Sequence, residues 1–147
     1  MNRYLFVISI IAALLTPAVA QAGSQAHELG ICLTDSLNGK ERKNLAKWIF
    51  LGMSAHSTIE PYSDVSAQDI DDSNRYVGTL VTRLLTEDCP NQARLAFEEG
   101  GASGFEYAFS IVGKVAMQEI MSEPQVSQSL GSFEQYLDQE RFNQVFQ

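Results

Sequence analysis

Residues 40–56 read KERKNLAKWIFLGMSAH, and this stretch decides the fold class. Leu45, Trp48, Ile49, Gly52, Met53 and His56 recur three and four positions apart, the spacing of one helix face rather than the alternation of a strand. Phe50 and Leu51 add apolar surface outside that stripe. From Trp48 to Met53 the helix is therefore apolar around most of its circumference, as expected for the centre of a bundle or for a surface that meets a partner. Lys40, Arg42, Lys43 and Lys47 crowd its start, where the helix dipole disfavours cations. A local rule broken in this way marks a candidate partner surface for an anionic head group, an envelope polymer or an acidic protein. The same lysines and arginine also read as a solvated face balanced by Asp35 and Glu41.

The flanking sequence continues the helical pattern. Gln25–Leu37 predicts a first helix with Leu29, Cys32, Leu33 and Ser36 on its inner face, ended by Asn38-Gly39. After a loop carrying Pro61, Ser66-Ala67-Gln68-Asp69 resembles a capping box with Asp in place of Glu. It opens a third helix over Ala67–Asp88, with Ile70, Val77, Leu80, Val81, Leu84 and Leu85 on its apolar side. Pro90 turns the chain. A short helix over Asn91–Glu99 stops at Gly100-Gly101, and a fifth over Ser103–Ser122 carries Phe105, Phe109, Val112, Ala116 and Ile120. Pro124 ends it, and Gly131 divides the remaining Gln125–Phe146 into two pieces. The expectation is an all-α, single-domain bundle of five or six short helices with one disulfide. Its second and third helices form a hairpin against the first, and Gly100–Gly104 is the best hinge.

Composition narrows the function classes. The 147 residues carry 18 acidic and 10 basic side chains, a formal charge of −8. That balance argues against a nucleic-acid partner, which demands clustered positive charge to neutralise phosphates. Residues 1–22 read as a secretory signal peptide: Arg3 begins it, Leu5–Leu15 is apolar but for Ser9, and Pro17 precedes the small residues Ala18, Ala20 and Ala22. The apolar run is too short to span a bilayer, which takes about 20 residues. Cleavage after Ala20 and after Ala22 both fit. The helical domain is then 23–147, periplasmic or secreted, with no membrane span left after cleavage.

Export changes the reading of Cys32 and Cys89, the chain's two cysteines. In an oxidising compartment such a pair is expected as one disulfide. The alternative, a metal or catalytic thiol pair, has no histidine nearby in sequence to support it.

Motifs for chemistry are sparse. His27 lies near the exported N-terminus, and His56 ends the apolar stripe, where a helix C-terminus favours it. No G-x-S-x-G surrounds a serine. Asp64, Asp69, Asp71 and Asp72 fail the calcium-loop test, since Asn74 and Leu80 stand where Gly and Glu are required. Glu98, Glu99 and Glu106 flank the glycine-rich turn without a spacing that marks a hydrolase pair. No catalytic residue, metal or cofactor is expected. Trp48, His56, Phe105 and Phe109 remain candidate pocket residues, although aromatics at helical spacing are also core formers.

The arrangement around Cys32 and Cys89, an exported helical domain with one long-range disulfide, resembles periplasmic acid-stress chaperones of the HdeA type and small periplasmic immunity proteins. The segment Asp35-Ser36-Leu37-Asn38-Gly39-Lys40-Glu41-Arg42-Lys43, with Lys47-Trp48-Ile49-Phe50, is similar to uncharacterised exported proteins of proteobacteria. The resemblance implies an envelope-stress or partner-interaction role and assigns no functional residue. The extension after Gly100 departs from the chaperone pattern. The expectation is a non-enzymatic exported protein that binds another protein or an envelope component, with a homodimer among the options. A small-ligand module with an apolar pocket is the alternative, and a small hydrolase stands behind both.

Overall fold

Among the described residues the first helix starts at Ser24, two residues past the last candidate cleavage position. The computed structural model describes residues 23–147, and the stretch 1–22 read as a leader lies outside them. Six α-helices follow in order: α1 (Ser24–Asp35), α2 (Gly39–Ser54), α3 (Ala67–Arg83), α4 (Pro90–Met121), α5 (Pro124–Gly131) and α6 (Gln139–Phe146). No strand occurs among the described residues. The bundle is all-α, as the periodicity predicts.

The core gathers Leu29, Leu33 and Leu37 from the first helix and its end, Leu45 and Ala46 from α2, Val77 and Leu80 from α3, and Ala93, Ala96, Ala108, Val112 and Ala116 from α4. Small residues on α4 let neighbours approach closely. At Gly30 of α1 a side chain would press on Ile111 and lie 3.2 Å from the Ala108 carbonyl oxygen, so glycine is what allows α1 and α4 to touch.

Helix α4 is not straight. Gly101 adopts φ 54° and ψ −135°, a conformation that L side chains rarely enter. The chain folds back there, so Gly104 abuts the Ala96 carbonyl and the Phe97 and Phe105 rings sit 5.8 Å apart. The break falls inside the glycine-rich stretch chosen from sequence.

Three expectations are corrected. The hairpin of α2 and α3 does not lie on α1: α2 packs on α4, α3 packs on α2, and α1 lies along α4. The small-residue face of α4 takes the central place expected of α2. Second, Asn38 does more than end α1. It opens α2, its side chain accepting the Glu41 N–H at 3.0 Å while the Glu41 carboxylate accepts the Asn38 N–H at 2.9 Å. Third, α3 ends at Arg83, and Leu84–Asp88 forms a wider turn in which the Cys89 N–H reaches the Leu84 carbonyl at 2.8 Å.

Cys32 and Cys89 are joined, with their Cα atoms 6.1 Å apart. Cys89 is fully buried, and the Ser36 hydroxyl donates to its sulfur at 3.6 Å. The bond fixes α1 to the wide turn. Beyond Pro124 no residue is buried. Leu130, Phe133, Tyr136, Phe142, Val145 and Phe146 are all exposed on this C-terminal arm.

Candidate functional site

The four basic residues at the start of α2 do not act alike. Arg42 turns inward: its guanidinium donates to the Leu37 carbonyl at 2.7 Å and approaches Glu119 at 3.9 Å. That carbonyl sits just past α1, so Arg42 satisfies a backbone acceptor at the α1–α2 corner. Lys40, Lys43 and Lys47 remain exposed and form no ion pair among the described residues. They recur at i, i+3 and i+7, so they share one helix face, which Phe50 continues. Phe50 is 53% exposed. Lys43, Lys47 and Phe50 form one wall of a shallow groove whose other wall carries Glu119, Ile120, Glu123 and Val126.

On another side of α2 lies a second, wider hollow of about 800 Å³. Met53, Gly52 and Ile59 line it together with Ile70 and Asn74 from α3. The expected burial of Trp48, Gly52, Met53 and His56 is therefore corrected: these residues wall an open groove, while Leu45, Ala46, Leu51 and Ser54 are the buried positions of α2. The Trp48 indole N–H donates to the Asn74 side-chain oxygen at 2.8 Å, which pins the ring against α3.

Trp48 also lines a third, smaller space of about 420 Å³ between α2, α3 and α4. The structure thus splits the candidate pocket set. Trp48 and His56 line the wide groove, Trp48 and Phe109 line the interhelical cavity, and the Phe105 ring lies tilted against Phe97 at the bend of α4. Sequence reasoning missed Gly78 and Gly113, which line the cavity, because a glycine inside a helix gives no periodic signal.

The remaining polar candidates have structural partners. His56 is exposed, and its Nδ1 accepts the Thr58 N–H at 3.2 Å within a turn. His27 is exposed on α1. Asp69 caps α3, accepting the Ser66 N–H at 3.0 Å, and the Ser66 hydroxyl also bonds to it. These bonds, the hydroxyl's first, hold the Asp69 carboxyl below its ordinary value of 3.8, and Lys47 adds a smaller pull in the same direction. Asp71 pairs with Arg75 at 2.7 Å, Glu98 pairs with Arg94 at 2.8 Å, and Glu99 accepts the Gln25 N–H at 3.0 Å. No group of three or more His, Cys, Asp or Glu side chains converges to hold a metal among the described residues. None of the described helices is long and apolar enough to cross a membrane.

No known protein family, no curated protein and no solved structure matches the chain.

Proposed function

We propose that this chain is an exported, non-catalytic binding protein that uses the outward face of α2 to hold an acidic protein partner. One observation carries the reading: Lys40, Lys43 and Lys47 form no ion pair among the described residues and stand beside the exposed Phe50, on a chain whose overall charge is −8. An exposed aromatic ring beside a row of lysines on one helix face suits a docking surface, in which apolar burial gives affinity and charge gives orientation. Glu119 and Glu123 on the opposite groove wall favour a partner whose acidic groups lie along its α2 side. A second copy of the chain, being acidic, also meets this chemistry.

The test uses protein recovered after export with its own leader. Its mass should place the N-terminus directly after Ala20 or Ala22; a full-length mass would refute the export part of the reading. The exported protein is immobilised beside a Lys40→Glu/Lys43→Glu/Lys47→Glu variant and a Phe50→Ser variant, and envelope extract is passed over each. An acidic protein, or the chain itself, retained at low salt by the native surface and lost on both variants supports the proposal. Equal retention on all three columns, or none on the native one, overturns it.

A further inference from the structure

The cavity between α2, α3 and α4 is open without a steric reason. Leu84, Val112 and Ala116 form its buried base, and Ile49 and Phe109 form part of its sides. Trp48, Gly78 and Gly113 lie where it meets solvent, Gly78 and Trp48 being exposed and Gly113 half-buried. Protein interiors seldom keep voids larger than a water molecule, and a space of about 420 Å³ is of the size that holds small ligands.

The two glycines carry the argument further. Gly78 lies inside α3 and Gly113 inside α4, away from either terminus. Neither has a positive φ, and a Cβ built at either would meet nothing within 4 Å. Glycine in a helix interior is less favourable than alanine. Gly30 and Gly104 are glycines because neighbours crowd them, and Gly101 because of its backbone; Gly78 and Gly113 have neither cause, nor does Gly52, which borders the wide hollow instead. Both border the same cavity, and any side chain there would encroach on it.

We propose that this cavity binds a single hydrocarbon chain. The lining is apolar throughout. The one polar group on it with a proton to give, the Trp48 indole N–H, is already committed to Asn74. No charged side chain among the described residues lines the cavity, so the hydrocarbon enters between the glycines and its head group stays in solvent. A free fatty acid and the acyl chain of a single-chain phospholipid share this chemistry. The inference is independent of the α2 docking face, which lies elsewhere on the helix.

The test is a fluorescence titration of the exported, disulfide-bonded protein with N-phenyl-1-naphthylamine. Displacement by laurate and by lauroyl lysophosphatidylcholine follows, the two competitors distinguishing the sources. Saturable binding to the native protein is expected, with affinity at least about tenfold weaker in Gly78→Leu and Gly113→Leu, whose side chains fill the space. Gly78→Ala and Gly113→Ala fit the backbone without a clash, so they should raise the melting temperature while lowering affinity a few-fold. They decide the matter if the leucine variants do not fold. Gly131→Leu on α5, the same chemical change away from the cavity, and the triple lysine variant of α2 should both bind as the native protein does. Absence of saturable binding, or equal affinity in native and cavity-filled proteins, overturns the proposal.

Discussion

Glu41 and Arg83 meet at 3.0 Å, joining the first turn of α2 to the last residue of α3. The Glu41 side chain is only 13% exposed and serves two purposes at once. One oxygen closes the capping box with Asn38, and the other takes the Arg83 guanidinium, which also reaches Asp88 at 3.4 Å. Replacing Glu41 with alanine removes half of the cap and leaves Arg83 with one partner. The expected loss is about 1–2 kcal/mol. Glu41→Gln keeps the cap's acceptor and should cost less than the alanine change. Urea denaturation followed by circular dichroism measures both, and equal losses would refute the dual role.

The covalent tie is the larger contribution. A bond between residues 57 apart in sequence removes about 4 kcal/mol of denatured-state freedom in the chain-entropy view. A Cys32→Ala/Cys89→Ala protein is therefore expected to unfold at far lower denaturant than the native one. Native protein unfolded in the presence of reductant should match it. A shift under about 1 kcal/mol in both cases would mean that the helices alone supply the stability.

Gly101 and Gly100 are neighbours with opposite expectations. Alanine at 101 must hold φ 54°, which costs about 1–3 kcal/mol. Alanine at 100 has helical backbone and open space, so it should be neutral or stabilising by up to about 1 kcal/mol. Paired thermal melts check this, and a destabilised Gly100→Ala with an unaffected Gly101→Ala would reverse the assignment of the bend.

The cap of α3 is sensitive to acid. Ser66 holds the folded-state pKa of Asp69 below 3.8, so the ionised carboxylate favours the folded state. That contribution is fully present above 3.8 and is lost as the pH falls through the lower folded value. Asp69→Asn should remove this part of the acid dependence, so native and variant proteins converge in stability as the pH drops. Carbon-detected NMR titration of the Asp69 carboxyl should give a value under 3.8 in the native protein, and one closer to 3.8 in Ser66→Ala.

Helix content, the α3 cap and the break near Gly101 were legible because each rests on local chemistry. Ser66 and Asp69 stand at the spacing that lets two side chains and two backbone N–H groups satisfy one another. The run Gly100-Gly101 has no side chain to resist a turn. The orientation of α2 was not legible. A helix apolar on most sides has no unique inward face, so periodicity chose Trp48, Met53 and His56 while the fold buried Ala46, Leu51 and Ser54. The choice is made by distant small residues on α4, and no window along α2 contains that information. The basic cluster was visible as a group, but its division was not, because Arg42 is drawn inward by a carbonyl at a helix junction and a glutamate on α4.

Cys89 has no accessible surface, while Cys32 is half-buried. Thiol–disulfide exchange needs a thiolate in line with a sulfur atom, so a small reductant has an approach only on the Cys32 side. Attack on Cys89 must wait until the turn of Leu84–Asp88 opens. Only one of the two sulfur atoms is therefore guarded by the fold: reduction of the folded protein starts at Cys32 and leaves the Cys89 thiolate as the group expelled into the core.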